Sequence, residues 1–222
     1  MSNAALEGMA ATLSGDLVNA GAVREYIHRA ACVVRRHRAY LTRLDAALGD
    51  GDHGDNLALG FAAVEEHLAA LPSDASIREV LRAVGHGLVG SVGGASGPLY
   101  GTAFLEAAAA SADAVTLDAA AVGRLLDAGA RALARRGRCA VGDKTILDTL
   151  RPATDGYLAA LRSGSGLAEA VGAALRCARD GMRSTRPLVA RRGLALRLGT
   201  RSSGHLDPGA VSCFLLLRAM VP

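Results

Sequence analysis

Residues 57–71 read LALGFAAVEEHLAAL and carry the clearest helical pattern in the chain. Apolar side chains recur there every three or four positions, as they do along one face of an amphipathic helix: Leu57, Phe61, Val64, Leu68 and Leu71. The same spacing recurs across most of the chain, over 23–48, 77–92, 99–112, 122–133, 146–161, 167–182 and from 207 onward. The connections are short, which makes consecutive helices antiparallel neighbours. The sequence therefore predicts an all-α fold, an eight-helix antiparallel bundle or closed barrel.

The composition agrees with this prediction. Of 222 residues, 46 are Ala and only 3% are aromatic, with no Trp. Ala is the best helix former, whereas β-sandwiches and barrels favour β-branched and aromatic residues. No linker is long enough to divide the chain, so residues 1–222 are expected to form a single domain. We expect residues 1–14 to be a poorly ordered or tag-derived N-terminus.

The composition also indicates the cellular compartment of the protein. The four cysteines form no CxxC pair, which favours a reducing compartment and argues against a zinc site. No uncharged apolar run is long enough for a membrane span, and no signal peptide is evident. The net charge is only +4 and aromatic side chains are scarce, so nucleic acid is not an expected partner. We expect a cytoplasmic protein.

Four of the connections are rich in glycine and polar residues: 49–56, 93–102, 137–145 and 193–209. They follow the first, third, fifth and seventh predicted helices, and every second connection of a bundle emerges at the same end. All four should therefore meet at one end of the molecule, where loops on a rigid scaffold commonly carry function.

The first of these connections is acidic, since Asp45, Asp50, Asp52 and Asp55 lie within eleven residues. Hard carboxylate oxygens without Cys or clustered His favour Mg²⁺ or Mn²⁺ over Zn²⁺. The spacing does not fit a calcium-binding EF-hand, because Phe61 stands where that loop needs Glu. Spacing alone leaves a second interpretation open, a solvated acidic turn in which Asp caps the second helix.

The second connection, Gly93-Gly94-Ala95-Ser96-Gly97, could bring backbone N–H groups and a hydroxyl against an anion, or could be a tight turn. Next to a metal held by carboxylates, an anion-binding loop of this kind predicts a site for a nucleoside triphosphate. Two other glycine patterns are rejected, because neither 85–90 (GxGxxG) nor 137–145 (a Walker-like G-x4-GDKT) follows a predicted strand. We expect Asp143 to cap the sixth helix instead.

Taken in series, these motifs resemble the nucleotide-binding L subunit of dihydroxyacetone kinase, a DAK2-type domain. The matching text is Leu44-Asp45 with 49–56, then 93–102, then 142–148, then 204–209, and it covers nearly the whole chain in order. The resemblance implies an eight-helix barrel with a nucleotide at one end, and Asp45, Asp50 and Asp52 holding two Mg²⁺ ions. It implies that the following residues contact ADP or ATP: His53, Gly54, Asp55, Asn56, Ala95, Ser96, Gly137, Ile146, Asp207, Pro208 and Gly209.

One position departs from the family. Its members commonly read Lys-Gly-Arg-Ala ahead of the last motif, with the Arg touching the nucleotide, whereas this chain has Leu194 in place of that Arg. The contact is therefore lost or is supplied by Arg192 or Arg197. Lys144, the single Lys of the chain, either reaches a phosphate or pairs with its i+4 neighbour Asp148, and we expect the pair.

The resemblance implies phosphoryl transfer to dihydroxyacetone held by a separate K subunit. In some members a phosphocarrier M subunit rephosphorylates bound ADP, and in others ATP exchanges. Alternatives are a kinase subunit for another acceptor, such as a tetrulose or a fatty acid, and a regulator that binds a transcription factor. A homodimer also stays open.

Overall fold

The computed structural model describes residues 17–91, 94 and 96–221. Eight α-helices lie within these residues and confirm the predicted fold class: α1 Ala20–Ala46, α2 His53–Ala69, α3 Ile77–Ser91, α4 Ser96–Ala110, α5 Ala119–Gly137, α6 Leu147–Arg162, α7 Leu167–Ser184 and α8 Pro208–Arg218. A 3₁₀ segment, Leu194–Ser202, precedes α8 and is kinked at Gly199. The expectation for residues 1–14 falls outside the described residues.

The helices form a closed ring. Each packs against the next in sequence, and α8 returns to pack on α1 as well as on α6 and α7. The stripes that defined the helices face inward, so that Ile27, Val34 and Leu41 on α1 are fully buried, as are Leu57 and Phe61 on α2. Burial of these faces is the main source of helix stability, since isolated helices of this length are marginal in water.

Side-chain caps fix where several helices begin. Asn19 accepts a hydrogen bond from the Ala22 amide (2.9 Å) at the start of α1, and Asp118 accepts one from Ala121 (2.6 Å) at the start of α5. These two starts are joined by a short antiparallel pairing of β1, Val18–Asn19, with β2, Thr116–Leu117. The caps satisfy amide groups that have no partner within the helix.

The ring encloses an apolar cavity of about 230 Å³, to which seven of the helices contribute. Tyr26, Phe104 and Leu217 are among the side chains that line it. None of the helices in the described part of the chain is both long and apolar enough to cross a membrane.

Candidate nucleotide and metal site

A second cavity, of about 860 Å³, lies at the end of the ring where α1, α3, α5 and α7 finish. Each of the four glycine-rich connections contributes to its wall, with Asp50, Ser96, Gly137 and Asp207 as examples. The predicted convergence of these connections is therefore confirmed. The polypeptide brings together here residues that are more than 150 positions apart in sequence.

Three carboxylates cluster on this wall. Asp45, Asp50 and Asp52 each offer an oxygen within 4.8 Å of the other two. Asp45 lies in the last turn of α1, and its Oδ2 accepts hydrogen bonds from the amides of Gly51 (3.0 Å), Asp52 (3.0 Å) and His53 (3.2 Å). The loop therefore wraps around the Asp45 carboxylate, and Gly51 permits the wrap because its φ of +77° suits glycine.

The electrostatics of the cluster favour a cation. Burial raises the pKa of Asp52, and the neighbouring carboxylates of Asp50 and Asp45 raise it further against a hydrogen bond from Asn56. A group of carboxylates this close is stabilised when a divalent cation neutralises it, and hard oxygen ligands suit Mg²⁺. The residues present therefore fit a magnesium ion.

Gly54 and Asp55 lie beside the cluster but face α1. The Asp55 carboxylate accepts a hydrogen bond from Arg38 Nε (2.5 Å), and the guanidinium lowers the pKa of that carboxyl. A Cβ at Gly54 would lie 2.1 Å from the Arg38 carbonyl oxygen, so only glycine lets α2 approach α1 this closely. Neither residue lines the cavity; together they hold the start of α2 against α1.

His53 is the centre of a buried chain of hydrogen bonds. Its Nδ1 lies 2.9 Å from Ser96 Oγ on α4, and its Nε2 lies 2.9 Å from Ser212 Oγ on α8. Ser212 Oγ in turn lies 2.7 Å from the Tyr100 hydroxyl. Burial lowers the pKa of His53, which favours the neutral ring. The chain ties the acidic loop to the glycine-rich loop and to the last helix.

Two residues of this hydrogen-bond network, Tyr100 and Ser212, were not predicted from the sequence. Tyr100 lies within the 93–102 motif, but nothing in the motif indicates a hydroxyl that points inward. Ser212 lies in the middle of the apolar α8 helix, and a single serine there gives no signal. Its side chain is fully buried, and only the tertiary structure shows its hydrogen bonds to His53 on α2 and Tyr100 on α4.

The hydrogen bonds of Lys144 differ from those predicted. Its side chain is 1% exposed, and Nζ donates hydrogen bonds to the carbonyl oxygens of Thr185 (2.6 Å) and His205 (2.5 Å). The predicted pairing with Asp148 is wrong, because the Asp148 carboxylate is occupied by the backbone amides of Gly142 (2.6 Å) and Thr145 (2.7 Å). Lys144 also has a left-handed backbone conformation, with φ of +63°.

The predicted cap of α6 by Asp143 is also wrong. Asp143 accepts a hydrogen bond from the Ala140 amide (3.0 Å) and pairs with Arg192 Nε (3.3 Å). The residue at the cap position, Ile146, offers no side-chain acceptor, and the Leu147 amide donates to Thr145 Oγ1 (3.2 Å) in the turn before the helix. Asp143 therefore closes its own loop and links that loop to the segment that follows α7.

The last connection completes the wall with Arg192, Leu194 and Arg197. Leu194 is 43% exposed at the cavity rim. Asp207 caps α8 through the Ala210 amide (2.7 Å), and burial raises the pKa of its carboxyl to about 7, with the charge of Asp148 adding to the rise and Lys144 opposing it. Pro208 follows in the first turn of α8, where its fixed φ suits a helix start.

Comparison with known families supplies the classification. The family model of the DAK2 domain matches residues 47–222, which is most of the chain. The chain belongs to the DAK2 domain family. The resemblance that the four motifs carried is thereby confirmed.

The chain is similar to several kinases and kinase subunits over most of its own length. The chain is 37% identical over 190 residues to the ADP-binding subunit DhaL of a PEP-dependent dihydroxyacetone kinase from Listeria innocua, covering 85% of this chain and 88% of that protein. It is 38% identical over 181 residues to the corresponding Escherichia coli subunit, covering 82% and 86%. It is 35% identical over 185 residues to the L-erythrulose 1-kinase of Mycolicibacterium smegmatis, covering 83% of this chain but 32% of that longer protein.

A solved structure shares the fold. The dihydroxyacetone kinase of C. freundii in complex with AMP-PNP and Mg²⁺ superposes with a TM-score of 0.65 at 24% identity. The match covers 87% of this chain and 32% of the kinase chain, so the shared fold spans about a third of that enzyme.

Most of the residues that the resemblance implies as metal or nucleotide contacts line this cavity. The cavity is lined by the three carboxylates and by His53, Asn56, Ser96, Gly137, Ile146, Asp207, Pro208 and Gly209. Gly54 and Asp55 lie against α1 instead, and Ala95 falls outside the described residues. Membership of the DAK2 family does not show which side chains contact a metal or a nucleotide, so these contacts remain predictions.

Proposed function

We propose that this DAK2 domain binds ADP or ATP with Mg²⁺ in the 860 Å³ cavity and serves as the nucleotide-binding subunit of a dihydroxyacetone kinase. The observation that carries the proposal is the cluster of Asp45, Asp50 and Asp52, whose oxygens lie within 4.8 Å of one another on the cavity wall. The ADP-binding subunits to which the chain is 37–38% identical support the choice of nucleotide.

The three carboxylates would hold the metal, in the form of two Mg²⁺ ions. When bound, Mg²⁺ neutralises phosphate charge and so favours phosphoryl transfer. Ser96, at the start of α4, would donate its hydroxyl to a phosphate, and the amides of that first turn add the positive end of the helix. His53, kept neutral by burial, holds the Ser96 hydroxyl in position without adding a second charge.

The base and the sugar would lie beside Gly137 and Ile146, which line the cavity, as does Gly209, whose added Cβ would lie 3.5 Å from Ile146. Because neither glycine carries a side chain, Gly137 and Gly209 would leave room for a flat ring against the apolar Ile146 side chain. Asp207, Pro208 and Gly209 then fix the edge of the nucleotide at the start of α8.

Arg136 lines the cavity from α5, and of the two arginines that lie near Leu194 in the last connection, Arg197 would supply the missing positive charge. Arg192 also lines the cavity, but its guanidinium is engaged by Asp143 at 3.3 Å. No ion pair involves Arg197 within the described residues. Arg197 would therefore serve as the phosphate-facing cation that Leu194 cannot provide.

The acceptor would be dihydroxyacetone held by a separate K subunit, which docks at the open mouth of the cavity. The relatives from Listeria innocua and Escherichia coli are subunits of PEP-dependent kinases. A phosphocarrier M subunit would then rephosphorylate ADP in place. Mass spectrometry of the purified protein distinguishes this mode from exchange: retained ADP supports the phosphocarrier route, and its absence supports ATP as the direct donor.

Calorimetric titration with ADP in the presence of Mg²⁺ tests the metal assignment. Loss of an outer partner of a metal ligand already costs about 10–100-fold in affinity, so Asp50→Ala should weaken binding at least about tenfold. Asp50 is exposed, so the variant should keep its fold. Asp74→Ala is the matched control, since Asp74 is an exposed acid in the turn between α2 and α3 at the other end of the ring. Equal binding by wild type and Asp50→Ala would overturn the assignment.

A tetrulose kinase subunit is the second candidate, favoured by the similarity to L-erythrulose 1-kinase. It would keep the metal and nucleotide site and change only the partner that holds the acceptor. Phosphoryl transfer assays with the co-purified partner, using dihydroxyacetone and L-erythrulose in parallel, separate the two. Faster turnover of L-erythrulose would favour this candidate.

A further inference from the structure

A second reactive cluster lies on the outer surface of the ring and touches neither cavity. It consists of His28, Cys32 and Arg35 on α1 with Glu65 on α2. The Cys32 thiol is exposed, its Sγ lies 3.8 Å from His28 Nε2, and Arg35 Nη2 donates a hydrogen bond to it at 3.2 Å. The other ring nitrogen of His28, Nδ1, lies 3.2 Å from Glu65 Oε1.

The arrangement has the parts of an activated nucleophile. A thiolate, not a thiol, is the nucleophilic form of cysteine, and a neighbouring base and cation favour it. His28 is placed to take the thiol proton, and Glu65 orients the ring through Nδ1. Arg35, which also pairs with Glu65, sets its guanidinium against the sulfur. Each of these contacts joins residues one helical turn apart or across the α1–α2 interface.

We propose that Cys32 is a modification site for small anionic disulfides and forms a mixed disulfide with them. His28 takes the Cys32 proton, and the thiolate attacks one sulfur of the small disulfide. The new S–S bond forms as the old one breaks, and the second sulfur leaves as a thiolate that takes a proton from His28 or from water. No outside oxidant is consumed, because the small disulfide is itself the oxidant.

The surface around Cys32 accounts for the preference for an anion. Residues 28–38 contain four Arg and two His and no acid. Glu25, Glu65 and Asp55 pair with Arg29, Arg35 and Arg38. Arg36 is exposed next to Arg35 and lies in no ion pair within the described residues. The four arginines outnumber these three acids, so a carboxylate-bearing disulfide would meet a net positive surface as it approaches the sulfur.

The other three cysteines are poorer nucleophiles in the structure. Burial raises the pKa of the Cys213 and Cys139 thiols, and Cys139, which lines the 860 Å³ cavity, is only partly exposed. Cys177 is partly buried on α7 where Gly156 of α6 packs against it, since a Cβ at Gly156 would lie 2.5 Å from its sulfur. Selectivity for Cys32 follows from exposure together with its neighbours.

The test measures the release of thiolate from dithiobis(nitrobenzoate), a small anionic disulfide, by the full-length protein. We expect one cysteine to react about tenfold faster than the rest, and Cys32→Ser to remove that fast phase. His28→Gln should slow the fast phase several-fold at pH 7, because it removes the group that takes the thiol proton. His67→Gln is the matched control, because His67 is an exposed histidine on α2 that contacts only the Ala63 carbonyl.

A second set of variants tests the preference for an anionic disulfide over a neutral one. Arg35→Gln should slow the reaction with dithiobis(nitrobenzoate) more than the reaction with the neutral dithiodipyridine. Arg36→Gln, which changes the same charge without a contact to the sulfur, should slow both much less. The proposal is overturned if Cys32 reacts no faster than the cysteines of the unfolded protein, or if His28→Gln and His67→Gln behave alike. None of these outcomes depends on nucleotide binding, so the proposed kinase role is tested separately.

Discussion

Lys144 fastens three loops at the functional end of the ring. Its Nζ donates to the carbonyl oxygens of Thr185, which follows α7, and of His205, which precedes α8. Burial lowers the pKa of Lys144, while the nearby carboxylates of Asp207 and Asp148 favour its charged form. The side chain therefore acts as a structural cation, and it adds to the hydrogen bonds that already join these segments, such as that from the Asp207 amide to Thr185 Oγ1 (3.1 Å).

Replacing this cation tests its structural role. In Lys144→Met the chain length is kept but both hydrogen bonds are lost, which should lower the free energy of unfolding by about 1–3 kcal/mol. Urea unfolding of the two proteins measures the difference. If stability is unchanged while binding of Mg²⁺ and ADP is lost, the lysine acts on a phosphate and not on the loops.

Asp207 should make the stability of the folded protein depend on pH. Its pKa is raised from the ordinary 3.8 to about 7 by burial, so between these values the folded protein binds a proton that the unfolded chain does not. Stability from this group is therefore lost as the pH rises from about 4 to 7 and is level above pH 7.

The matched variant is Asp207→Asn, which keeps a cap for α8 and does not ionise. Relative to this variant, the wild type should lose at most about 1 kcal/mol per pH unit between pH 5 and 7. Unfolding by urea at pH 5, 6, 7 and 8 measures the slope. Parallel stability curves for the two proteins would show that Asp207 is ionised throughout.

At the scale of elements, glycines set how closely the helices pack. Pro152 lies inside α6, where it has no amide to offer the Asp148 carbonyl one turn earlier. Helix α7 passes close to that carbonyl at Gly181, where an added Cβ would lie 2.1 Å from the oxygen. The pair of α6 and α7 is thus fixed by a proline on one helix and a glycine on the other.

Gly181→Ala should therefore force α7 away from α6 and lower the free energy of unfolding by about 2 kcal/mol or more. Gly172→Ala is the control on the same helix, because its nearest neighbour would be Arg176 Nη1 at an ordinary 3.6 Å. The control should be neutral or stabilising by up to about 1 kcal/mol, from helix propensity alone. Thermal or urea unfolding separates the two, and equal values would contradict the close packing.

At the scale of the whole molecule, the closed ring decides where function lies. Because α8 returns to α1, the even and odd connections are held at opposite ends, and the four glycine-rich connections surround one cavity. A nucleotide in that cavity would touch the ends of several helices at once. The hydrogen bonds of His53 to Ser96 and Ser212 would couple such a nucleotide to the relative positions of α2, α4 and α8.

The sequence by itself determined the helices, their antiparallel order and the end at which the loops gather. These follow from apolar spacing and from short connections, which are local properties. The acidic cluster was also predictable, because Asp45, Asp50 and Asp52 lie within eight residues of one another.

The tertiary structure alone decided the contacts between distant residues. Lys144 was expected beside Asp148, yet it reaches carbonyls 41 and 61 residues away. The partnership of His53 with Ser212 spans 159 residues, and Cys32 meets Glu65 through His28 only because α1 packs on α2. Spacing along one helix specifies which side chains share a face, but the partner of that face is set by how all the helices close on one another.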